Sequence, residues 1–138
     1  MKISLISTKD TAVRIFPDLG KALSKNISGL ELEERFVPTP LDLPFVALEC
    51  AKESNFLIVF ALVEDDDEAD FIKKKLIDVE IASGTRILKA VESDTLSGLT
   101  GYKFDEEKAG IVSELSKIAI SILFKERDFE PTDSHLVD

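Results

Sequence analysis

The sequence predicts an α/β fold: a three-layer sandwich in which a four-stranded parallel sheet carries helices on both faces. Three observations predict it. Short apolar runs of strand length alternate four times with stretches of helical periodicity. One of those runs, Phe56 to Val63, is eight residues without a charge, as suits a central parallel strand covered on both faces. At 138 residues the chain is long enough to bury one core without disulfides or metals, so residues 1–138 are expected to form a single domain.

Ile3, Leu5 and Ile6 form a first buried strand that ends where Ser7-Thr8-Lys9-Asp10 supplies cap-type residues. Ala12, Phe16, Leu19 and Leu23 then recur at helical spacing, with Pro17 inside the pattern as a kink or as a sign that the helix starts near it. After Gly29, the alternation Leu30-Glu31-Leu32-Glu33 followed by Arg35-Phe36-Val37 reads as a half-exposed strand at a sheet edge. Pro38, Pro40 and Pro44 frame the next loop, with Pro44 in the first turn of a helix from Phe45 to about Lys52 and Asp42 placed to cap it.

Beyond the central strand, the acidic run Glu64 to Asp70 leads into a helix with Ile72, Leu76 and Val79 on one face. That helix is closed by Ser83-Gly84. Arg86 to Val91 fits a fourth strand or a prolonged helix. Gly98 and Gly101 mark a loop extending from Ser93 to Glu107, and Val112, Leu115, Ala119 and Ile122 define a long final helix. Ile111, Ile118 and Ile120 widen its apolar stripe beyond what one sheet needs, which suggests a buried contact between subunits. The segment Glu130 to Asp138 is expected to fray or to dock on a neighbour.

Composition narrows the partners. Seventeen basic against 27 acidic residues give a net charge of −10, which disfavours nucleic acid and anionic membranes. No apolar run reaches the ~20 residues a membrane span needs, and Met1 to Ser7 does not form a signal peptide, so a cytoplasmic protein is expected. Cys50, the one cysteine, falls in an apolar helical pattern and reads as a buried, inert thiol. His135, the one histidine, sits in the tail, away from any fixed geometry a base would need.

The chain has no GxGxxG, Walker, GxSxG or CxxC pattern. Six carboxylates between Glu64 and Asp70 lack the glycine and ligand alternation of a calcium loop and read as a solvated helix start, with no metal. At the mouth of a strand they would oppose a phosphorylated substrate. A receiver-type reading fails because Ser7-Thr8-Lys9 and Leu62-Val63 stand where its acids would be. In such sheets ligands bind beyond the carboxyl ends of the strands. The loops at Ser7 to Thr11, Pro38 to Pro44, Glu64 to Asp70 and Ser93 to Glu107 are therefore the candidates.

Val37-Pro38-Thr39-Pro40-Leu41-Asp42-Leu43-Pro44 resembles the VPGxx[DE][LI]P loop of the lumazine synthase and archaeal riboflavin synthase superfamily. The likeness continues through Phe45 to Glu53, the helix after that loop, and Asn55 to Leu62, which resembles the D-[IAV]-V-x-A-L-G strand. It ends at Ile122-Leu123-Phe124-Lys125, similar to the LLFK ending of archaeal riboflavin synthases. It covers about 120 residues in the same order. The resemblance implies a flavodoxin-like fold of lumazine synthase type and a transferase of riboflavin biosynthesis. That enzyme, assembled as a homopentamer, would dismutate 6,7-dimethyl-8-ribityllumazine into riboflavin and a pyrimidine without a cofactor. It further implies that Pro38, Thr39, Pro40, Leu41, Asp42 and Leu43 cradle the pteridine, that Asp42 binds ribityl hydroxyls, and that Thr8, Lys9 and Lys108 supply donors. Three family features are absent. Ala69 stands near the family histidine, Val63 replaces the strand-end glycine, and Ser7-Thr8-Lys9-Asp10 holds no aromatic. The alternatives are a 6,7-dimethyl-8-ribityllumazine synthase, which needs an anion site, and a non-catalytic ligand-binding or assembly relative.

Overall fold

Strand and helix alternate as the pattern requires. The computed structural model describes residues 1–94, 96 and 98–128, with the backbone alone described at 12, 13 and 125–128. In chain order the elements are β1 (Lys2–Thr8), α1 (Lys9–Asn26), β2 (Glu31–Val37), a 3-10 turn (Pro40–Asp42), α2 (Leu43–Ala51), β3 (Phe56–Val63), α3 (Asp66–Ser83), β4 (Arg86–Ser93) and α4 (Gly101–Asp128). All strand pairs are parallel and the sheet order is β2-β1-β3-β4, a flavodoxin-like topology. The tail Glu130 to Asp138, with His135, lies outside the described residues.

Two apolar cores sandwich the sheet, because successive side chains of a strand point to opposite faces. Phe56, Ile58 and Phe60 of β3 join Ile3, Leu5, Phe16, Leu19 and Leu115 under α1 and α4. Leu57, Val59, Ala61 and Val63 join Ile6, Leu43, Ala47, Ile72 and Leu76 under α2 and α3. That double burial explains why the β3 sequence carries no charge. On β2, at the sheet edge, only Val37 is buried, and the acid-rich alternation read from the sequence is the result.

Helix ends follow local chemistry. The Asp65 carboxylate accepts the Glu68 backbone N–H at 2.8 Å and caps α3, while Gly84 closes it at φ 75, a left-handed conformation open to glycine. Asp65→Ala is expected to cost about 1 kcal/mol in denaturant unfolding, since that N–H then loses its acceptor; no measurable loss would show that the cap is replaced by water. α1 runs through Pro17, which lies mid-helix and supplies no N–H to the helical ladder.

Two expectations need correction. Asp42 stands at the start of α2 but makes no cap hydrogen bond; its carboxylate instead accepts from the Thr39 hydroxyl at 3.0 Å. The final helix begins at Gly101, so nearly half of the expected Ser93–Glu107 loop is helical. Of the three residues that widen the α4 stripe, Ile111 packs partly buried against the core, Ile118 is exposed, and Ile120, half-buried, belongs to neither core.

The outer edge of β4 is closed at its start by side chains. Glu80 accepts the Ile87 backbone N–H at 2.8 Å and Lys89 Nζ at 2.8 Å, and Lys89 Nζ also donates to the Ile87 carbonyl at 3.0 Å. Charged groups thus occupy the backbone donor and acceptor that a foreign strand would seek. No described helix is long and apolar enough to cross a membrane.

Candidate functional site

A cavity of about 520 Å³ opens at the carboxyl ends of the strands. Such ends leave a crevice in open parallel sheets, and the volume falls within the roughly 300–1,000 Å³ of ligand pockets. Thr8 at the end of β1, Asp10, Thr11 and Arg14 of α1, and Pro38 and Pro40 after β2 contribute to its lining. Leu62 of β3, Asp94, Leu96, Gly98 and Leu99 after β4, and Phe104 of α4 complete it.

Local structure fixes these groups. The Thr8 and Thr11 hydroxyls share a hydrogen bond of 3.2 Å across the first turn of α1. The two prolines restrict φ and hold the β2 loop extended before the 3-10 turn, so their rings present apolar surface at low ordering cost. Asp94 bonds its own loop, its N–H to the Val63 carbonyl and its carboxylate to the Leu96 N–H, both at 2.9 Å. Arg14 lies over the Phe104 ring, its guanidinium carbon 5.6 Å from the centroid, and so links α1 to α4 inside the cavity.

The expected site residues divide. Thr8, Pro38 and Pro40 line the cavity; Lys9, Thr39, Leu41, Asp42, Leu43 and Lys108 do not. Thr39 and Asp42 bond each other, Leu43 is fully buried in the core under α2, and Leu41 is exposed. Lys108 points along α4 to Asp18 of α1 at 2.9 Å, and this hydrogen bond with its charge holds the Asp18 carboxyl below its ordinary range. Ala69 packs in the core beneath α3, away from the cavity.

The acidic run serves α3 instead. Besides the Asp65 cap, Asp66 accepts a short hydrogen bond from Ser93, and none of Glu64 to Asp70 lines the cavity. Among the described residues no group of three potential ligands could hold a metal ion. Cys50 is buried in α2; burial pushes its thiol up, Arg35 donates to its sulfur at 3.7 Å, and it stands outside the cavity.

Asp94 and Phe104 lie within the expected Ser93–Glu107 segment without being singled out in it, and Arg14 lies outside all four expected loops. For Phe104 a signal existed: Phe104, Ile111, Leu115 and Ala119 continue one helical stripe, interrupted only by Lys108. Phe104 brings an aromatic ring to the cavity from the last helix, where the family pattern places one after the first strand. One hydroxyl stands apart: Ser7 Oγ on β1 is buried without a hydrogen-bond partner among the described residues.

No protein-family model matches this chain, and no curated protein matches it in sequence.

Proposed function

We propose that the chain is a riboflavin synthase of the archaeal type, converting two molecules of 6,7-dimethyl-8-ribityllumazine into riboflavin and a pyrimidine. The observation that carries this reading is the position of the proline loop. The segment that resembles the family most, Pro38 and Pro40, walls a ligand-sized cavity at the strand ends, where Thr8 and Thr11 offer hydroxyls and Phe104 a ring. The acids and hydroxyls suit ribityl hydroxyls, and the apolar surface of prolines and phenylalanine suits a flat heterocycle.

A lumazine synthase fits less well. Asp10 and Asp94 outnumber Arg14 in the lining, and a phosphorylated substrate would meet net repulsion there. The polymeric part of the reading finds support beside the loop, where Phe36, Leu41, Phe45 and Leu48 are all exposed, Phe45 to 70 %. Such a cluster on an acidic protein is the kind of surface a second copy covers. Dismutation brings two ring systems together, and a subunit seated there would stand next to the first.

A second reading is a pteridine-binding relative that has lost the chemistry. It is favoured by the lining itself, which among the described residues holds no histidine and no cysteine. Incubation with purified 6,7-dimethyl-8-ribityllumazine from about pH 6 to 9 separates the two. Rising riboflavin fluorescence is expected. Ring binding with no turnover at any pH would select the non-catalytic relative, and a strict monomer in sedimentation would remove the pentameric family altogether.

A further inference from the structure

We infer that Arg14, held across the Phe104 ring, is the group through which the cavity reads its ligand, its guanidinium fork meeting two adjacent acceptors on the edge of a planar heterocycle. The argument begins with charge. In a chain with 27 acids and 17 bases, several described cations pair with a carboxylate: Lys2 with Glu33, Arg35 with Glu33 and Glu49, Lys73 with Glu92, Arg86 and Lys89 with Glu80, Lys108 with Asp18. Arg14 is in no salt bridge with a described residue, although Asp10 stands four residues before it on α1, the spacing at which a pair forms readily.

Its one described side-chain partner is the Phe104 face. The ring face holds the guanidinium without a carboxylate, so its fork of N–H donors remains for a ligand. The result is a guanidinium held on a cavity wall, and among the described residues Arg14 is the one basic residue in that lining. Two-acceptor partners of such a fork are carboxylates, phosphates, and a carbonyl oxygen beside a ring nitrogen.

The other charges choose among them. Asp10 and Asp94 share the cavity, so a dianion would face two negative groups for one positive. A neutral ring with an acceptor edge escapes that penalty and can use the carboxylates for its own hydroxyl or N–H donors. This assignment rests on the pteridine reading above: the pyrimidinedione end of a lumazine or flavin presents a carbonyl oxygen next to a ring nitrogen. Arg14 then sets which end of the ring enters, and Phe104 keeps the fork in position.

Fluorescence titration of the full chain with 6,7-dimethyl-8-ribityllumazine and with riboflavin tests it. Arg14→Met is expected to weaken both about ten- to hundredfold, the range for losing hydrogen bonds to a charged group. Arg14→Lys should recover only part, because an ammonium has charge without the fork. The unliganded proteins should melt within a few degrees of one another, since Arg14 is exposed and loses only its contact with the Phe104 ring. Excess inorganic phosphate should leave riboflavin affinity unchanged. If wild type binds and Arg14→Met binds within about twofold of it, the inference falls while the pteridine reading stands. Displacement of riboflavin by phosphate would make the cavity an anion site and also overturn the inference. Failure of the wild type to bind either ring removes both.

Discussion

Phe56→Ala is expected to destabilise the protein by about 3–5 kcal/mol, the range for removing a fully buried phenylalanine and leaving a cavity. Phe56 is 0 % exposed at the start of β3 and packs with Ile3, Leu5, Phe16 and Leu19 under α1 and α4. It is also paired to β1 through Ile3 and to β4 through Arg86, so its neighbours are fixed by ladders on both sides and cannot close in. Against a total stability of about 5–15 kcal/mol, this one change removes a large share. Urea unfolding should show a lower midpoint at unchanged slope. A loss under about 1.5 kcal/mol would mean that the helices collapse into the space and that this layer is plastic.

The second large effect concerns Glu80. Its side chain is 19 % exposed and accepts both the Ile87 N–H and Lys89 Nζ. Burial opposes its charge. The hydrogen bonds from Lys89 and the Ile87 backbone, with the charges of Lys89 and Arg86, outweigh burial and hold the carboxyl below its ordinary range. Glu80→Ala removes the acceptor of both groups and is expected to cost about 1–3 kcal/mol near neutral pH. A carboxyl with a depressed folded pKa contributes in full above its unfolded pKa, about 4.3, and loses that contribution as pH falls through the folded value. The gap between wild type and Glu80→Ala should therefore be flat from neutral pH to about pH 5 and close below about pH 4. A gap that persists undiminished at about pH 3 would show that the charge of Glu80 contributes nothing.

Much of the architecture is legible in the residues because burial writes itself as pattern. The uncharged run Phe56 to Val63 matches β3 at both ends, since a strand covered on both faces tolerates no polar position. Gly84 marks the end of α3 because the backbone there needs a positive φ. The start of α4 is less legible: Lys103, Asp105, Glu106 and Glu107 are exposed, so its first two turns turn only Phe104 and Lys108 inward. Asp42 shows the limit of a local rule, for a carboxylate at a helix start had a nearer partner in Thr39.

The site was half legible for a related reason. Thr8, Pro38 and Pro40 announce themselves through loop chemistry at strand ends. Arg14 does not, because a single arginine among helical positions has no sequence mark until α4 brings Phe104 to it. Lys108 carried the opposite lesson: it sits two turns into α4, and helix rotation gives it to Asp18 rather than to the cavity.

The lining of the cavity reaches from Thr8 to Phe104, with walls drawn from every strand-to-helix junction except the one opened by the acidic run. No contiguous stretch of chain holds enough of it to bind anything alone. β1 must pair with β2 before Thr8 meets Pro38, and α4 must have returned over α1 before Arg14 meets Phe104. Pairings so far apart in sequence must close long loops first, which makes parallel sheets slow to form. The pocket is thus a product of the completed topology, and no fragment lacking either β1 or α4 carries its full lining.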